Sequence, residues 1–242
     1  MPPLDEFALT GRRREHVIDS AAVGCTLQPS ALQAFIAMQR AASESGISLA
    51  AASSFRDFDR QLIIWNAKYR GERPLFDRHG HRCEASQLSD EERIEAILAW
   101  SALPGASRHH WGTDLDVFDA AALTAGATLQ LVPEEYADGG PFARLSAWLE
   151  THMHRFGFYR PYVASGCGVS PEPWHLSYVP LAAVCLRQLT PGLLRGALVE
   201  APLAGRETVL ARLDELHERF VLGVAPPPAS LVDELGDHRR MV

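Results

Sequence analysis

Apolar residues recur at helical spacing in five stretches of this 242-residue chain. In residues 30–45 they fall at i, i+3 and i+4 positions, with Gly46 directly after the stretch, and this pattern predicts a helix. The start of a later helix is marked separately, because Ser89 and Glu92 have the spacing of a capping box. The five predicted helices are residues 30–45, 57–70, 89–100, 142–153 and 207–221.

Three shorter apolar runs predict strands, namely residues 47–52, 115–118 and 174–179. Helices and strands are interspersed without a regular strand–helix–strand rhythm, so the pattern favours the α+β class. Residues 1–28 show neither period and are predicted to be irregular. Residues 29–180 are predicted to form one domain, onto which a helical C-terminal extension, residues 181–242, packs.

The overall composition is that of a folded globular protein, with 47% hydrophobic and 22% charged residues. This balance excludes intrinsic disorder and low-complexity polymers, and the length corresponds to one or two domains. With Lys+Arg 23 against Asp+Glu 30, the formal net charge is −7. An acidic chain of this kind argues against a nucleic-acid-binding protein, which would show a basic stripe.

Further sequence features indicate the cellular compartment of the chain. No apolar run reaches the roughly 18 residues of a transmembrane helix, so no integral membrane segment is predicted. The first residues lack the apolar core of a signal peptide, which predicts a cytoplasmic location and leaves a periplasmic one as the alternative. The four cysteines contain no CxxC pair and are therefore expected to be reduced thiols.

The densest group of chemically active side chains lies between Ser107 and Asp116, a stretch with two histidines and two aspartates. Neutral imidazole and carboxylate are typical zinc ligands, so this stretch favours a metal site over a hydrophobic core. A second cluster runs from Glu172 to His175. Two ligands from the first cluster and one from the second would leave a catalytic zinc one position for water. A nearby carboxylate that is not a ligand can accept a proton from that water.

The two clusters together form a pattern that resembles the zinc D-alanyl-D-alanine carboxypeptidases and D,D-dipeptidases of the vancomycin-resistance type. The wider group includes lysostaphin-like enzymes and the hedgehog signalling domain. The pattern is S-x-H-x-x-G-x-x-x-D followed far downstream by E-x-W-H, and it is carried here by Ser107, His109, Gly112, Asp116, Glu172, Trp174 and His175. The segment from Ser53 to Arg56, followed by Gln61, is similar to the S-x-x-R block of the family. The resemblance covers residues 47–180.

The resemblance implies an α+β fold in which a small central antiparallel sheet bears the zinc site and helices flank it. It implies that His109, Asp116 and His175 hold one Zn²⁺ ion and that Glu172 is the general base. The implied reaction is carboxypeptidase hydrolysis of peptides that contain D-amino acids, such as the stem peptides of peptidoglycan. The same group leaves open a zinc-bearing binding module without turnover, and an endopeptidase of the cell wall.

The resemblance also implies which side chains contact the substrate. Arg56 is implied to bind the substrate and to stabilise the charge that develops on it, and its rigid fork of donors suits both tasks. Ser107, Gln61 and Ser53 are implied as additional substrate contacts. The loop of residues 71–88 and the C-terminal segment are expected to shape specificity.

Asp114 and His110 lie close to predicted ligands in the chain and carry side chains that could also bind a metal. Asp114 stands where the family commonly has a small residue, often alanine. Strand residues two apart share a face, so Asp114 is expected beside Asp116, either as a partner of a ligand or as a competing ligand. The register of Ser107 and Gly112 favours Asp116 as the ligand. His110 is expected to face away from the metal or to line the substrate cleft, because adjacent strand side chains diverge.

Overall fold

The computed structural model describes residues 3–124, 126–163, 168–229 and 231 of the chain. Its α-helices are α1 Glu6–Leu9, α2 Pro29–Glu44, α3 Phe58–Tyr69, α4 Asp90–Leu98, α5 Pro133–Tyr136, α6 Ala143–His152, α7 Val179–Gln188, α8 Pro191–Leu198, α9 Arg206–Ala211 and α10 Leu213–Leu216. Its strands are β1 Ile18–Ser20, β2 Cys25–Leu27, β3 Leu49–Ser53, β4 Leu75–Phe76, β5 Arg82–Cys83, β6 Asp114–Asp119, β7 Phe158–Tyr159 and β8 His175–Tyr178. Cys25, Cys83 and Cys185 are free thiols, and Cys167 lies outside the described residues.

The centre of the fold is a four-stranded antiparallel sheet with the strand order β3-β6-β8-β7. Strand β6 pairs with β3 on one side and with β8 on the other. This register places Asp116 of β6 opposite His175 of β8 and opposite Ser53 of β3. The α+β fold with a small central antiparallel sheet, expected from the sequence, is confirmed.

Helices cover the sheet and build two apolar cores. One core lies between the sheet and helices α2 and α6, and Phe35 and Leu115 are buried in it. The other core joins α3 and α4 to the C-terminal helices through Trp65, Ile94 and Leu194. The C-terminal helices therefore share a core with α3 and α4, while the predicted three-part division of the chain stays a prediction. None of the described helices is both long and apolar enough to cross a lipid bilayer.

Most elements expected from hydrophobic spacing are present within a few residues of their predicted bounds. The helices predicted at residues 30–45, 57–70, 89–100 and 142–153 correspond to α2, α3, α4 and α6. The capping box of Ser89 and Glu92 is formed in both directions at the start of α4. The three predicted strands correspond to β3, β6 and β8.

Two segments differ from the prediction. Residues 1–28 are not irregular, because they contain helix α1 and the β1–β2 hairpin, which bury Leu9 and Leu27. Elements of three or four residues are too short to show a helical or strand period. The single helix predicted at residues 207–221 is divided into α9, α10 and a π-helical turn, His217–Leu222. In that turn the Arg219 carbonyl accepts a hydrogen bond from the Gly168 amide (3.1 Å), outside the helical ladder.

Gly112 connects the 3₁₀ turn Arg108–Trp111 to β6 and is held in the left-handed region, with a φ of 65°. A Cβ atom at this position would lie 2.3 Å from Cγ1 of Val17 and 3.2 Å from the amide nitrogen of Gln28. The Gln28 amide also donates to the Gly112 carbonyl over 2.8 Å. Gly112 therefore allows the N-terminal segment to pack directly against the turn that carries His109.

Replacing Gly112 by alanine is expected to lower the free energy of unfolding by about 2–4 kcal/mol, because backbone strain and overpacking add. Gly24 is a matched control, because it has the same φ of 65° but a Cβ atom there would have no neighbour within 4 Å. Gly24→Ala is expected to cost only the left-handed penalty of about 1–2 kcal/mol. Urea unfolding of both variants measures the difference, and equal losses would contradict the close packing at Gly112.

Candidate active site

Three buried side chains converge at one end of the central sheet. His109 lies in the 3₁₀ turn Arg108–Trp111, Asp116 lies on β6, and His175 is the first residue of β8. One donor atom from each of the three lies within 4.8 Å of the other two. Because β6 and β8 pair with Asp116 opposite His175, the sheet itself brings two of the three together.

Hydrogen bonds on the outer side of each imidazole orient its ring. Nδ1 of His109 lies 2.8 Å from the Ser54 carbonyl and donates to it, which leaves the lone pair of Nε2 facing Asp116. Nε2 of His175 lies 3.0 Å from Oδ1 of Asp114 and donates to it, so Nδ1 faces Oδ1 of Asp116 at 3.2 Å. The inward nitrogens are therefore available as metal donors, and each ring is held from outside by an acceptor.

The charges of these groups also suit a cation. Burial lowers the pKa of His109 to about 4, so its imidazole is neutral at pH 7. Burial alone would lower the pKa of His175, but the hydrogen bond to Asp114 and the nearby carboxylate of Asp116 raise it to about 9. The electrostatic field at the inward nitrogen of His175 therefore favours positive charge.

The hydrogen bonding of the Asp116 carboxylate indicates whether a metal ion fits between the three side chains. Its Oδ2 accepts a hydrogen bond of 2.8 Å from the Ser53 hydroxyl. Its Oδ1 is buried and, among the described residues, has no hydrogen-bond partner. A buried carboxylate oxygen without a partner is costly unless a ligand completes it. Two imidazoles and one carboxylate form a donor set typical of catalytic zinc, so the residues present fit this ion.

Asp114 lies behind His175 rather than among the inward donors. It is fully buried, and its Oδ1 also accepts from Nε of Arg108 at 2.8 Å. Nη2 of Arg108 donates in turn to the hydroxyl of Ser177 at 2.6 Å. Despite burial, which would raise it, the Arg108 guanidinium holds the pKa of Asp114 well below its usual range. Of the two alternatives left open by the sequence, the geometry supports a charged partner that orients a ligand.

Asp114→Asn is expected to weaken zinc binding about 10- to 100-fold, because the amide keeps the shape but loses the charge that holds His175. The change also leaves Arg108 buried without its counter-charge, so the free energy of unfolding should fall by about 3–5 kcal/mol. Zinc affinity is measured by competition with a chromophoric chelator, at a temperature where the variant is folded. Ser177→Ala is the control, because it removes the other Arg108 contact without touching His175. Equal affinity in Asp114→Asn and the wild type would contradict the orienting role.

His110 faces away from the predicted ligands, as expected, but the alternation used to predict this does not apply. The segment is a 3₁₀ turn and not a strand. His110 is buried, its Nδ1 donates to the Arg56 carbonyl at 2.6 Å, and its Nε2 accepts from the Gly105 amide at 3.1 Å. His110 thus fixes the backbone of Arg56, a role that sequence reasoning missed.

The side chain of Arg56 is held by two of the predicted substrate contacts. Nη1 of Arg56 donates to Oε1 of Gln61 at 2.8 Å, and Nη2 donates to the Ser53 hydroxyl at 3.3 Å. The amide group of Gln61 is itself anchored to the Ala102 carbonyl at 2.7 Å. Ser53 and Gln61 therefore orient the guanidinium, and their contact with substrate stays a prediction.

Glu172 lies in the loop before β8, with its amide donating to the Tyr162 carbonyl over 3.0 Å. Its Oε2 is 3.5 Å from Nδ1 of His175, at the edge of the donor cluster and outside the group of three inward donors. Burial raises the pKa of Glu172 to about 7. A carboxylate with a pKa near neutrality can both take and return a proton at physiological pH.

A cavity of about 610 Å³ opens onto these groups. Arg56, Ser107 and Glu172 line it together with the three inward donors. Segments outside the central sheet also line the cavity, namely several residues between Arg73 and Gly80, and Phe220 of the π-helical turn. The loop and the C-terminal segment expected to shape specificity therefore both reach the cleft.

Comparisons with known proteins identify a family model, related sequences and a similar solved structure. A family model described as VanY, D-alanyl-D-alanine carboxypeptidase, matches residues 24–181. An uncharacterized protein of Haemophilus influenzae is 37% identical over 122 residues, which are 50% of this chain and 93% of that protein. A D-alanyl-D-alanine carboxypeptidase of Enterococcus faecalis is 27% identical over 146 residues, 59% of this chain and 44% of that protein. The structure of VanYB in complex with D-alanine-D-alanine matches with a TM-score of 0.50 at 22% identity, covering 76% of this chain and 89% of that one.

Proposed function

The chain belongs to the VanY family of D-alanyl-D-alanine carboxypeptidases, and from this we propose that its cleft removes the C-terminal residue from peptidoglycan stem peptides. The observation that carries the proposal is the convergence of His109, Asp116 and His175 in the wall of a cavity that Glu172 also lines. A donor cluster alone is compatible with simple binding. A buried carboxylate next to it, with a pKa near 7, supports hydrolysis.

We infer a single zinc ion, because the three inward donors are the one group of this kind among the residues that the structure describes. The ion would be held by Nε2 of His109, a carboxylate oxygen of Asp116 and Nδ1 of His175. When bound, zinc supplies Lewis acidity, which polarises a carbonyl and lowers the pKa of water.

In the proposed hydrolysis, the side chains around the ion transfer the proton and stabilise the negative charge that develops on the substrate. Oε2 of Glu172 accepts a proton from the attacking water as the water oxygen bonds to the scissile carbonyl carbon. When the carbon–nitrogen bond breaks, Glu172 returns that proton to the leaving amine. The Arg56 guanidinium, oriented by Gln61 and Ser53, donates to the oxyanion that forms on the carbonyl oxygen. Ser107 also lines the cavity, and in this proposal its hydroxyl hydrogen-bonds the substrate terminus.

The proposal is tested with the zinc-loaded protein and synthetic stem tetrapeptides and pentapeptides, followed by mass spectrometry of the products. Release of a single C-terminal residue is the expected result. Cleavage inside the peptide would indicate an endopeptidase, and binding without any product would indicate a binding module. The metal-free protein, prepared with a chelator and restored with zinc, is the control for adventitious peptidases.

A further inference from the structure

The chain contains 22 arginines but a single lysine, Lys68. That lysine lies on α3 and lines the same cavity as Arg56 and Glu172. Arginine and lysine differ chemically, because an ammonium is a compact point charge whereas a guanidinium is a planar fork. A chain that otherwise uses arginine throughout therefore places its one side-chain ammonium in the wall of the candidate active site.

Helix α3 determines where this ammonium points. Gln61 and Lys68 are seven residues apart and so lie on one face of the helix, separated by about 10 Å along its axis. Side chains on a helix lean toward its N-terminus, which turns Lys68 toward Gln61 and the arginine that Gln61 holds. The same face of α3 thus presents one group that orients Arg56 and one cation further along the cleft.

Lys68 is half-buried, and no carboxylate among the described residues is in direct contact with its ammonium. Lys68, Arg73 and Arg78 all line the cavity, and within the described part of the chain none of their side chains makes a hydrogen bond or an ion pair. By contrast, Arg212 and other surface arginines form close ion pairs. Burial lowers the pKa of Lys68 to about 8, an effect that Glu172 opposes and Arg73 reinforces. A partly buried cation without a directly paired counter-charge is destabilising, and an anionic ligand in contact with it would offset this cost.

We propose that Lys68, with Arg73 near it, binds the free carboxylate of the residue that is cleaved off and so selects for exopeptidase cleavage. This inference rests on the proposed function. Lys68 and Glu172 line the same cavity, so the ammonium lies in the cleft in which Glu172 returns the proton to the leaving amine. In an amino acid the carboxylate is two bonds from that amine, so an anion held there aligns the last peptide bond with the catalytic groups.

The first test compares a peptide ending in D-Ala-D-Ala with the same peptide as its C-terminal amide. The wild type should prefer the free acid. Lys68→Met is expected to lower kcat/KM for the acid about 10- to 100-fold, mainly through KM, and to leave the amide nearly unchanged. Lys68→Arg keeps the charge and should keep most of the preference. An equal effect of Lys68→Met on both peptides, or no effect on either, would overturn the inference.

A second test does not depend on turnover and separates failure of this inference from failure of the proposed function. Because Lys68 is the one lysine, an amine-specific reagent modifies only Lys68 and the N-terminal amine, which peptide mapping distinguishes. In the Glu172→Gln protein, the acid peptide should protect Lys68 from labelling and the amide should not. Equal protection by both peptides, or by neither, would exclude a carboxylate site at Lys68 even if the protein cleaves stem peptides.

Discussion

Replacing Glu172 by alanine will lower the rate of stem-peptide hydrolysis by about 10²- to 10⁴-fold while the protein retains zinc. The expectation follows from the position of the carboxylate, 3.5 Å from Nδ1 of His175 but outside the group of three inward donors. Removing it takes away the group that accepts and returns the proton, and leaves the metal ligands in place. The measurement pairs kcat on a stem pentapeptide with the zinc content of the same preparation.

Two further variants sharpen this result. Glu172→Gln keeps the volume and hydrogen-bonding capacity of the side chain but cannot accept the proton, so it should lose activity to a similar extent. Glu134 also lines the cavity and has no part in the proposed chemistry, which makes Glu134→Ala the matched control with activity close to that of the wild type. A zinc-replete Glu172→Ala protein with wild-type kcat would remove Glu172 from the mechanism.

Replacing His175 by alanine will cost the protein its metal at zinc concentrations that saturate the wild type. His175 contributes one of only three inward donors, so its loss should weaken binding by more than the about 10- to 100-fold expected for a partner such as Asp114. Hydrolysis should disappear with the metal. Zinc stoichiometry after dialysis against buffers of defined free zinc measures the effect.

The control for this experiment is another histidine. His81 is exposed on the loop between β4 and β5, and its substitution by alanine should leave zinc stoichiometry unchanged. Far-ultraviolet circular dichroism establishes whether the His175→Ala protein keeps its fold, since His175 also pairs across the sheet with Asp116. If the folded variant binds zinc as tightly as the wild type, His175 is not a ligand.

The longer elements of the fold could be predicted because they carry a full period of buried side chains. Helix α2 spans four turns and buries Ala31, Leu32, Phe35, Met38 and Ala42 on one face. Helix α1 and the β1–β2 hairpin could not be predicted, since they are fixed by packing against distant residues. The close approach of Val17 to Gly112 is one such contact. The cytoplasmic location and the absence of nucleic-acid binding stay predictions.

The resemblance of the S-x-H-x-x-G-x-x-x-D and E-x-W-H patterns implied that His109, Asp116 and His175 belong together, and the fold brings these three side chains within reach of one another. Their role as zinc ligands stays a prediction. The contacts that orient these residues could not be predicted from the sequence. His110 contacts Arg56 across 54 positions of sequence, and the Asp114–Arg108 pair requires the turn and strand to fold back on each other. The composition did contain one indication of this kind, because Lys68 is the single lysine of the chain.

The pairing of Asp116 with His175 has a consequence for the order in which the protein folds. The two residues are far apart in the chain, and β3, which supplies Ser53, is equally far from β6. Contacts of such long range form late, because closing the intervening loops costs entropy before any contact repays it. An ion held by these side chains would therefore meet them only after the sheet has assembled. Zinc should leave the refolding rate of this chain nearly unchanged and act mainly by slowing its unfolding.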